Sequence, residues 1–125
     1  MKLILAIVAV GIAGAAATGS LIHRAPAALA AKSNPFSGDE KARRAGMKLY
    51  ARECASCHGL NREGRKNVPP LSQPEVYGAK SELLFWVLRN GSLRRGMPSF
   101  AHLPEAQRWQ IITFLQGGPA IEKRR

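Results

Sequence analysis

Between Ser37 and Gly118 the apolar residues recur in three blocks with a helical period, and in none of them do apolar and polar residues alternate as in a half-buried strand. In the first block Ala42, Ala45, Gly46, Leu49 and Tyr50 stand at i, i+3, i+4, i+7 and i+8, which is one narrow face of a helix. Ser37-Gly38-Asp39-Glu40 precedes it and reads as a capping box, the serine oxygen taking an early backbone N–H while the glutamate reaches back. Gly46 sits inside the helix, where glycine costs about 1 kcal/mol relative to alanine. Another backbone passing close by would account for it. The helix runs straight into Cys54.

The second block, Ser81 to Asn90 (SELLFWVLRN), has a serine at its start and Gly91 as its stop. It is apolar on most sides and is expected to be largely buried. The third runs from Pro104 to Gln116 (PEAQRWQIITFLQ). Proline suits a first turn, Glu105 suits the positive end of the helix dipole, and Gly117-Gly118-Pro119 ends it. Trp109, Ile111, Ile112, Phe114 and Leu115 form its apolar face. The expected class is all-α, with three main helices.

A different pattern occupies the start of the chain. Met1 and Lys2 lead into Leu3 to Ile22, 20 residues without a charge. A basic start before an apolar run is the form of an export signal, and small-residue cleavage patterns stand at Ala15–Ala17 and Ala28–Ala30. Left uncut, the run is just long enough to span a bilayer. Residues 1–30 are therefore expected to be a signal peptide or membrane anchor, 31–36 a linker, 37–118 the folded domain and 119–125 a basic tail. The expected destination is the periplasm, in a soluble form or anchored by residues 3–22. A domain of roughly 80 residues is near the size where an apolar core alone is marginal and a staple or cofactor helps.

Charge narrows the partners. Against 8 Asp and Glu stand 19 Lys and Arg, a net +11. Such an excess suits an acidic protein, anionic lipid or nucleic acid. An exported domain with few aromatics and no basic-aromatic interleaving makes nucleic acid the poorest of these. An ordinary basic, solvated surface explains the same charge.

The chemistry is concentrated at residues 54–58, CASCH. A redox dithiol needs its nucleophilic cysteine at a helix N-terminus, where the dipole stabilises thiolate; Cys54 and Cys57 fall at a helix end of the opposite sign. A structural zinc site needs four ligands, and His102, the other histidine of the domain, lies 44 residues from His58 without a second short-spaced pair. The remaining reading is covalent haem attachment, of which C-x-x-C-H is the signature. On a helical turn Cys54 and Cys57 share a side and reach two vinyl groups of one porphyrin, and His58 offers a nitrogen to iron. Export agrees with it. For the sixth iron position Met97 is the best candidate: it stands in RRGMPSF between Gly96 and Pro98, 39 residues after His58. Met47 shares a helix with Cys54, and His102 is the competitor.

These residues together resemble a small bacterial class I mono-haem cytochrome c. The resemblance rests on Gly46, Tyr50, Cys54, Cys57, His58, Pro70-Leu71, Gly96-Met97-Pro98 and the closing apolar helix, and covers nearly all of Ser37 to Gly118. It implies a cytochrome c-like fold packed around one covalently bound haem c. It also implies that the first and last helices cross at Gly46 and Tyr50, with Ile111 and Phe114 as partners. A proline carbonyl is expected against the second ring nitrogen of His58, from Pro70 or, alternatively, Pro69. Leu71, Phe85 and Trp86 are expected to line the haem, although simple core packing gives the same pattern.

With His58 and Met97 both bound, iron has no open position, and what remains is the ferric/ferrous couple. The expected function is one-electron transfer by a monomeric carrier between a dehydrogenase or membrane complex and a terminal oxidase or other cytochrome. The alternative is a dedicated, membrane-anchored cytochrome subunit of an enzyme complex such as a quinoprotein dehydrogenase. Arg89, Arg94 and Arg95 are placed to steer an acidic partner toward a haem edge near the methionine loop.

Overall fold

The computed structural model describes residues 32–118. The leader and the basic tail lie outside the described residues. The elements are helices α1 (Glu40–Glu53), α2 (Ala55–His58), α3 (Pro74–Tyr77), α4 (Ser81–Asn90) and α5 (Glu105–Gln116), with a 3-10 turn at Leu93–Arg95 before α5. Among the described residues there is no strand, only isolated bridges at Arg65–Val68 and Ser92–Met97. The fold is all-α. Helices α1, α4 and α5 are the three read from periodicity; the one-turn helices α2 and α3 and the 3-10 turn are too short to show a period.

The caps differ from expectation in two places. Asp39, not Ser37, caps α1: its carboxylate accepts from the amides of Lys41 at 2.8 Å and Ala42 at 3.1 Å. Ser37 stands two residues too early, inside a reverse turn closed by the Asp39 amide on the Phe36 carbonyl. Glu40 does not reach back; it accepts from Arg43 at 2.6 and 2.7 Å. Ser81 is likewise the first helical residue of α4, with Lys80 at the cap position. Its hydroxyl donates instead to Gln116 Oε1 at 2.8 Å, while Gln116 Nε2 donates to the Ala79 carbonyl at 2.8 Å, so the start of α4 is tied to the end of α5.

The core is the crossing of α1 and α5. A Cβ at Gly46 would run into the carbonyl oxygen of Gln110 and meet Phe114 Cβ at 3.0 Å. Backbone contact of that closeness explains why the helix tolerates a glycine. The partner there is the Gln110 backbone, one residue before the expected Ile111. Ile111 and its neighbour Ile112 are both fully buried. Tyr50 packs on Phe114 with ring centroids 5.3 Å apart. On the other face of α5, Trp109 stacks on Phe85 of α4 at 4.1 Å and 19°.

Part of the segment read as a linker is packed. Asn34 is buried, and its Nδ2 donates to Thr113 Oγ1 at 2.9 Å. Thr113 passes its own proton to the Trp109 carbonyl at 2.9 Å. Lys32 pairs with Glu105 at 3.2 Å. Composition alone makes Lys32-Ser33-Asn34-Pro35 look like a spacer, because the buried partner of Asn34 lies 79 residues away.

Candidate haem site

Helix α1 ends at Cys54, whose amide still donates to the Tyr50 carbonyl at 2.8 Å. The backbone bends there and makes one further turn, α2, closed by the amides of Cys57 and His58 on the Cys54 carbonyl at 3.2 and 2.9 Å. Gly59, at φ +85, stops the turn. Cys54 and Cys57 thus sit one helical turn apart with His58 following. Neither is in a disulfide; Cys54 is buried and Cys57 exposed. Burial first, then the charges of Glu53 and Cys57, push the Cys54 thiol up to about 12. A thiol so held is protonated at neutral pH, the reverse of an activated dithiol. Among the described residues, no group of three or more His, Cys, Asp or Glu side chains is arranged to hold a metal ion on its own.

His58 is buried, and its Nδ1 lies 2.9 Å from the carbonyl oxygen of Pro69. A carbonyl only accepts, so Nδ1 carries the proton and Nε2 keeps a free lone pair. The proline is Pro69, the second option, and not Pro70. The loop explains the choice. The Gly64 amide donates to the His58 carbonyl at 2.7 Å, Arg65 and Val68 exchange bonds of 2.9 and 3.0 Å, and the Leu71 amide donates to the Arg62 carbonyl at 2.9 Å. These bonds fix the chain on both sides of the proline pair and leave the Pro69 carbonyl facing the imidazole. Tyr50 adds a further tie, donating its hydroxyl to the Gly59 carbonyl at 2.7 Å.

Arg62 is the residue sequence reading missed. It is only 4% exposed. Its guanidinium lies 4.9 Å from the centroid of Phe114 and donates through Nη2 to the Gly118 carbonyl at 2.7 Å. Burial lowers its pKa from the usual arginine value. Its backbone is at φ +61, the one non-glycine residue with positive φ among those described. Arg62 therefore clasps the loop after His58 to the end of α5. An arginine in a polar loop ordinarily reads as solvated, and no local pattern marks this one.

Met97 is half-buried and packs against the core. Its amide and carbonyl both pair with Ser92, at 3.0 and 2.8 Å. Gly91, at φ +63, is where this hairpin closes: a Cβ there would come within 2.5 Å of Pro98 and 2.7 Å of the Met97 carbonyl. Beyond Met97, Ser99 Oγ donates to the Arg89 carbonyl at 2.5 Å, and the Phe100 amide to Leu88 at 2.8 Å. His102, the competitor, is exposed with its ring 5.9 Å from that of Phe100, and Met47 is exposed on α1. Leu71 is half-buried against the core and Trp86 half-buried on α4. Phe85 is committed to Trp109 on one side and to the Arg108 guanidinium, 4.6 Å from its centroid.

The donor set fits a covalently held haem. Two free thiols stand one helical turn apart, and the imidazole beside them has one nitrogen occupied and the other free. The comparisons point the same way. Residues 41–115 match the family model described as cytochrome c oxidase, cbb3-type, subunit III. Among solved structures the chain is similar to cytochrome cL from the marine methylotrophic bacterium Methylophaga aminisulfidivorans, with 26% identity and a TM-score of 0.60. That likeness covers 71% of this chain and 61% of the other, so the chain spans less than two thirds of that relative. A search of curated protein sequences gave no match. On the matched residues, which take in α1 through nearly all of α5, the chain belongs to the cytochrome c family described as cytochrome c oxidase, cbb3-type, subunit III.

Proposed function

We propose that Cys54 and Cys57 hold the haem c of this electron carrier through thioethers, and that His58 Nε2 and Met97 Sδ are its two iron ligands. The carrier then passes single electrons in the periplasm between a dehydrogenase or membrane complex and a terminal oxidase or another cytochrome. The observation that carries the reading is the 2.9 Å contact of His58 Nδ1 with the Pro69 carbonyl. A proton held at Nδ1 orients the ring, directs the Nε2 lone pair outward and raises its donor strength.

When bound, the haem supplies a ferric/ferrous couple. The chain's own contribution is ligand choice and rigidity. Methionine is a soft, neutral donor that favours the ferrous form and raises the potential. With both His58 and Met97 held by the iron, no position would remain for ligand activation. The α1–α5 crossing and the Arg62 clasp hold the cysteine-bearing turn, while the Ser92–Met97 pair holds the methionine, so electron transfer requires little rearrangement. Arg89, Arg94 and Arg95 are exposed and add positive charge next to the methionine loop, which suits steering of an acidic partner.

Spectra of the purified holo protein test the ligand set. A far-red band from a sulfur–ferric iron bond, lost in Met97→Ala, is expected. Its absence in the wild type, with rapid carbon monoxide binding to the reduced form, would overturn Met97 as ligand. A second reading is a cytochrome subunit of an oxidoreductase complex, held by residues 3–22 as an anchor. The family description, which names an oxidase subunit, favours it. Among the described residues no helix is long and apolar enough to cross a membrane. A soluble mature chain beginning after Ala17 or Ala30 speaks against the anchored form.

A further inference from the structure

We propose that the solvent face of α1 is a membrane-contact face, on which Lys41, Arg44, Lys48 and Arg52 meet anionic lipid headgroups. The inference goes beyond electron transfer and does not depend on the identity of the iron ligands.

Three observations carry it. The first is the shape of the charge. At about 100° per residue these four cations fall within about 80° of arc and run for about 16 Å along the helix. That arc lies opposite the buried face of Ala42, Gly46, Leu49 and Tyr50. All four cations are exposed. Arg44 and Arg52 are each paired at the surface, with Glu40 at 3.4 Å and Glu53 at 2.6 Å. Lys41 and Lys48 pair with no carboxylate among the described residues.

The second is that α5 already covers the apolar face of α1, down to the Gln110 backbone against Gly46. What α1 leaves to solvent is charge, with Met47 beside it at 44% exposure and no aromatic ring. A protein interface has a buried centre rich in aromatic residues. A straight row of flexible cations without such a centre suits a continuous layer of headgroup charge.

The third is where the chain enters and leaves the domain. Asn34, Ser37, Arg43, Gln116 and Gly117 line one cleft, so the segment before α1, the first turns of α1 and the end of α5 come together. Upstream of that point is the uncharged run Leu3 to Ile22, and downstream are Lys123, Arg124 and Arg125. The ten steps from Ile22 to Lys32 reach at most about 35 Å. With residues 3–22 in a bilayer, a tether of that length keeps α1 near the headgroups and makes the contact intramolecular. Resting on headgroup charge alone, the contact is peripheral and weakens with salt.

The test places the holo full chain on vesicles of phosphatidylcholine alone, and on vesicles of phosphatidylcholine and phosphatidylglycerol in equal parts. A water-soluble amine-acylating reagent then labels exposed lysines, and mass spectrometry reads each site. Labelling of Lys41 and Lys48 is expected to fall on the phosphatidylglycerol vesicles and to recover at high salt. Lys66 in the loop after His58 and Lys80 before α4, both exposed, should label alike on the two vesicles. Arg44→Gln and Arg52→Gln should each weaken the protection, by up to about fivefold. Equal labelling of Lys41 and Lys48 on the two vesicles would overturn the proposal, and is the result if residues 3–22 alone hold the chain. So would protection shared equally by all four lysines, or protection given by polyglutamate, as a stand-in for an acidic protein, and not by vesicles. The ligand assignment is read separately, from the sulfur–iron band of the same sample, and neither result decides the other.

Discussion

The α1–α5 crossing and the loop from Gly91 to Phe100 lie beside the residues proposed as haem ligands, and they are held by opposite means. At the crossing, side chains do the work: Gly46 lets two backbones touch, Tyr50 and Phe114 interlock beside it, and Ile111 and Ile112 are sealed from solvent. In the loop, hydrogen bonds to main-chain atoms do it: Ser92 pairs with Met97 and Phe100 with Leu88 through backbone alone, and the Ser99 hydroxyl ties to the Arg89 carbonyl, around a Met97 that is only half-buried. Packing of the first kind is intolerant of added volume. Hydrogen bonding of the second kind is tolerant of most side-chain changes and leaves side chains such as Leu93 exposed. The family's carrier role divides along that line, with an unyielding seat for the cofactor and an adaptable edge.

The sharpest way to break the comparison is to add volume to the crossing. Gly46→Val would drive two methyl groups into the Gln110 carbonyl and Phe114. A loss of at least about 4 kcal/mol is expected, so that little holo protein accumulates and its denaturant midpoint collapses. The same valine at Gly96 finds open space, and only the strain of its φ of +79 acts, at about 1–2 kcal/mol. If both variants lost equal stability, the division between packed crossing and tolerant loop would fall.

Arg62 joins the two regimes, since its side chain grips α5 while its backbone closes the loop after His58. Arg62→Met keeps much of the packing against Phe114 but removes the bond to Gly118 and the cation over the ring. A loss of about 2 kcal/mol is expected, read by urea unfolding. Arg62→Lys should recover only part, because a compact ammonium cannot both cover the Phe114 ring and reach the Gly118 carbonyl as the planar guanidinium does.

Met97→Ala tests the loop side. The Ser92 pairing involves only main-chain atoms of Met97 and survives the change. Stability should fall by less than for Gly46→Val, while the sulfur–iron band is lost entirely and carbon monoxide binds the reduced form.

What could be read from sequence follows the same division. Side-chain packing leaves a period, so α1, α4 and α5 were legible, and Gly46 stood out because helix propensity opposes it. CASCH was legible because its three chemical groups are adjacent. Features decided by where the backbone turns were not. Ser37 and Asp39 are both good caps, and only the start of the first helical turn chooses between them. Pro69 and Pro70 are chemically equal, and bonds from Gly64 and Leu71 choose between them. Arg62 and Asn34 were invisible for a related reason: each is a buried polar residue in a polar segment, with its hydrogen-bond partner 56 and 79 residues away respectively.

The smallest expected effect tests whether the crossing and the cysteine-bearing turn are coupled through one hydroxyl. Tyr50 is buried in the crossing, yet its proton goes to the Gly59 carbonyl, just past His58. Tyr50→Phe keeps the ring on Phe114 and removes only that bond, at about 1 kcal/mol. Its pH dependence gives a second reading. Burial, the largest cause, raises the tyrosine from 10.0 to about 12, so the native state holds its proton more tightly than the unfolded chain. The unfolded chain releases that proton first as pH rises, so the wild type has its full stability below pH 10 and loses some between 10 and 12. Phenylalanine has no proton to lose. The gap between wild type and Tyr50→Phe should therefore narrow across that window, and a gap that stayed constant would mean the hydroxyl is not the buried donor that links the two regions.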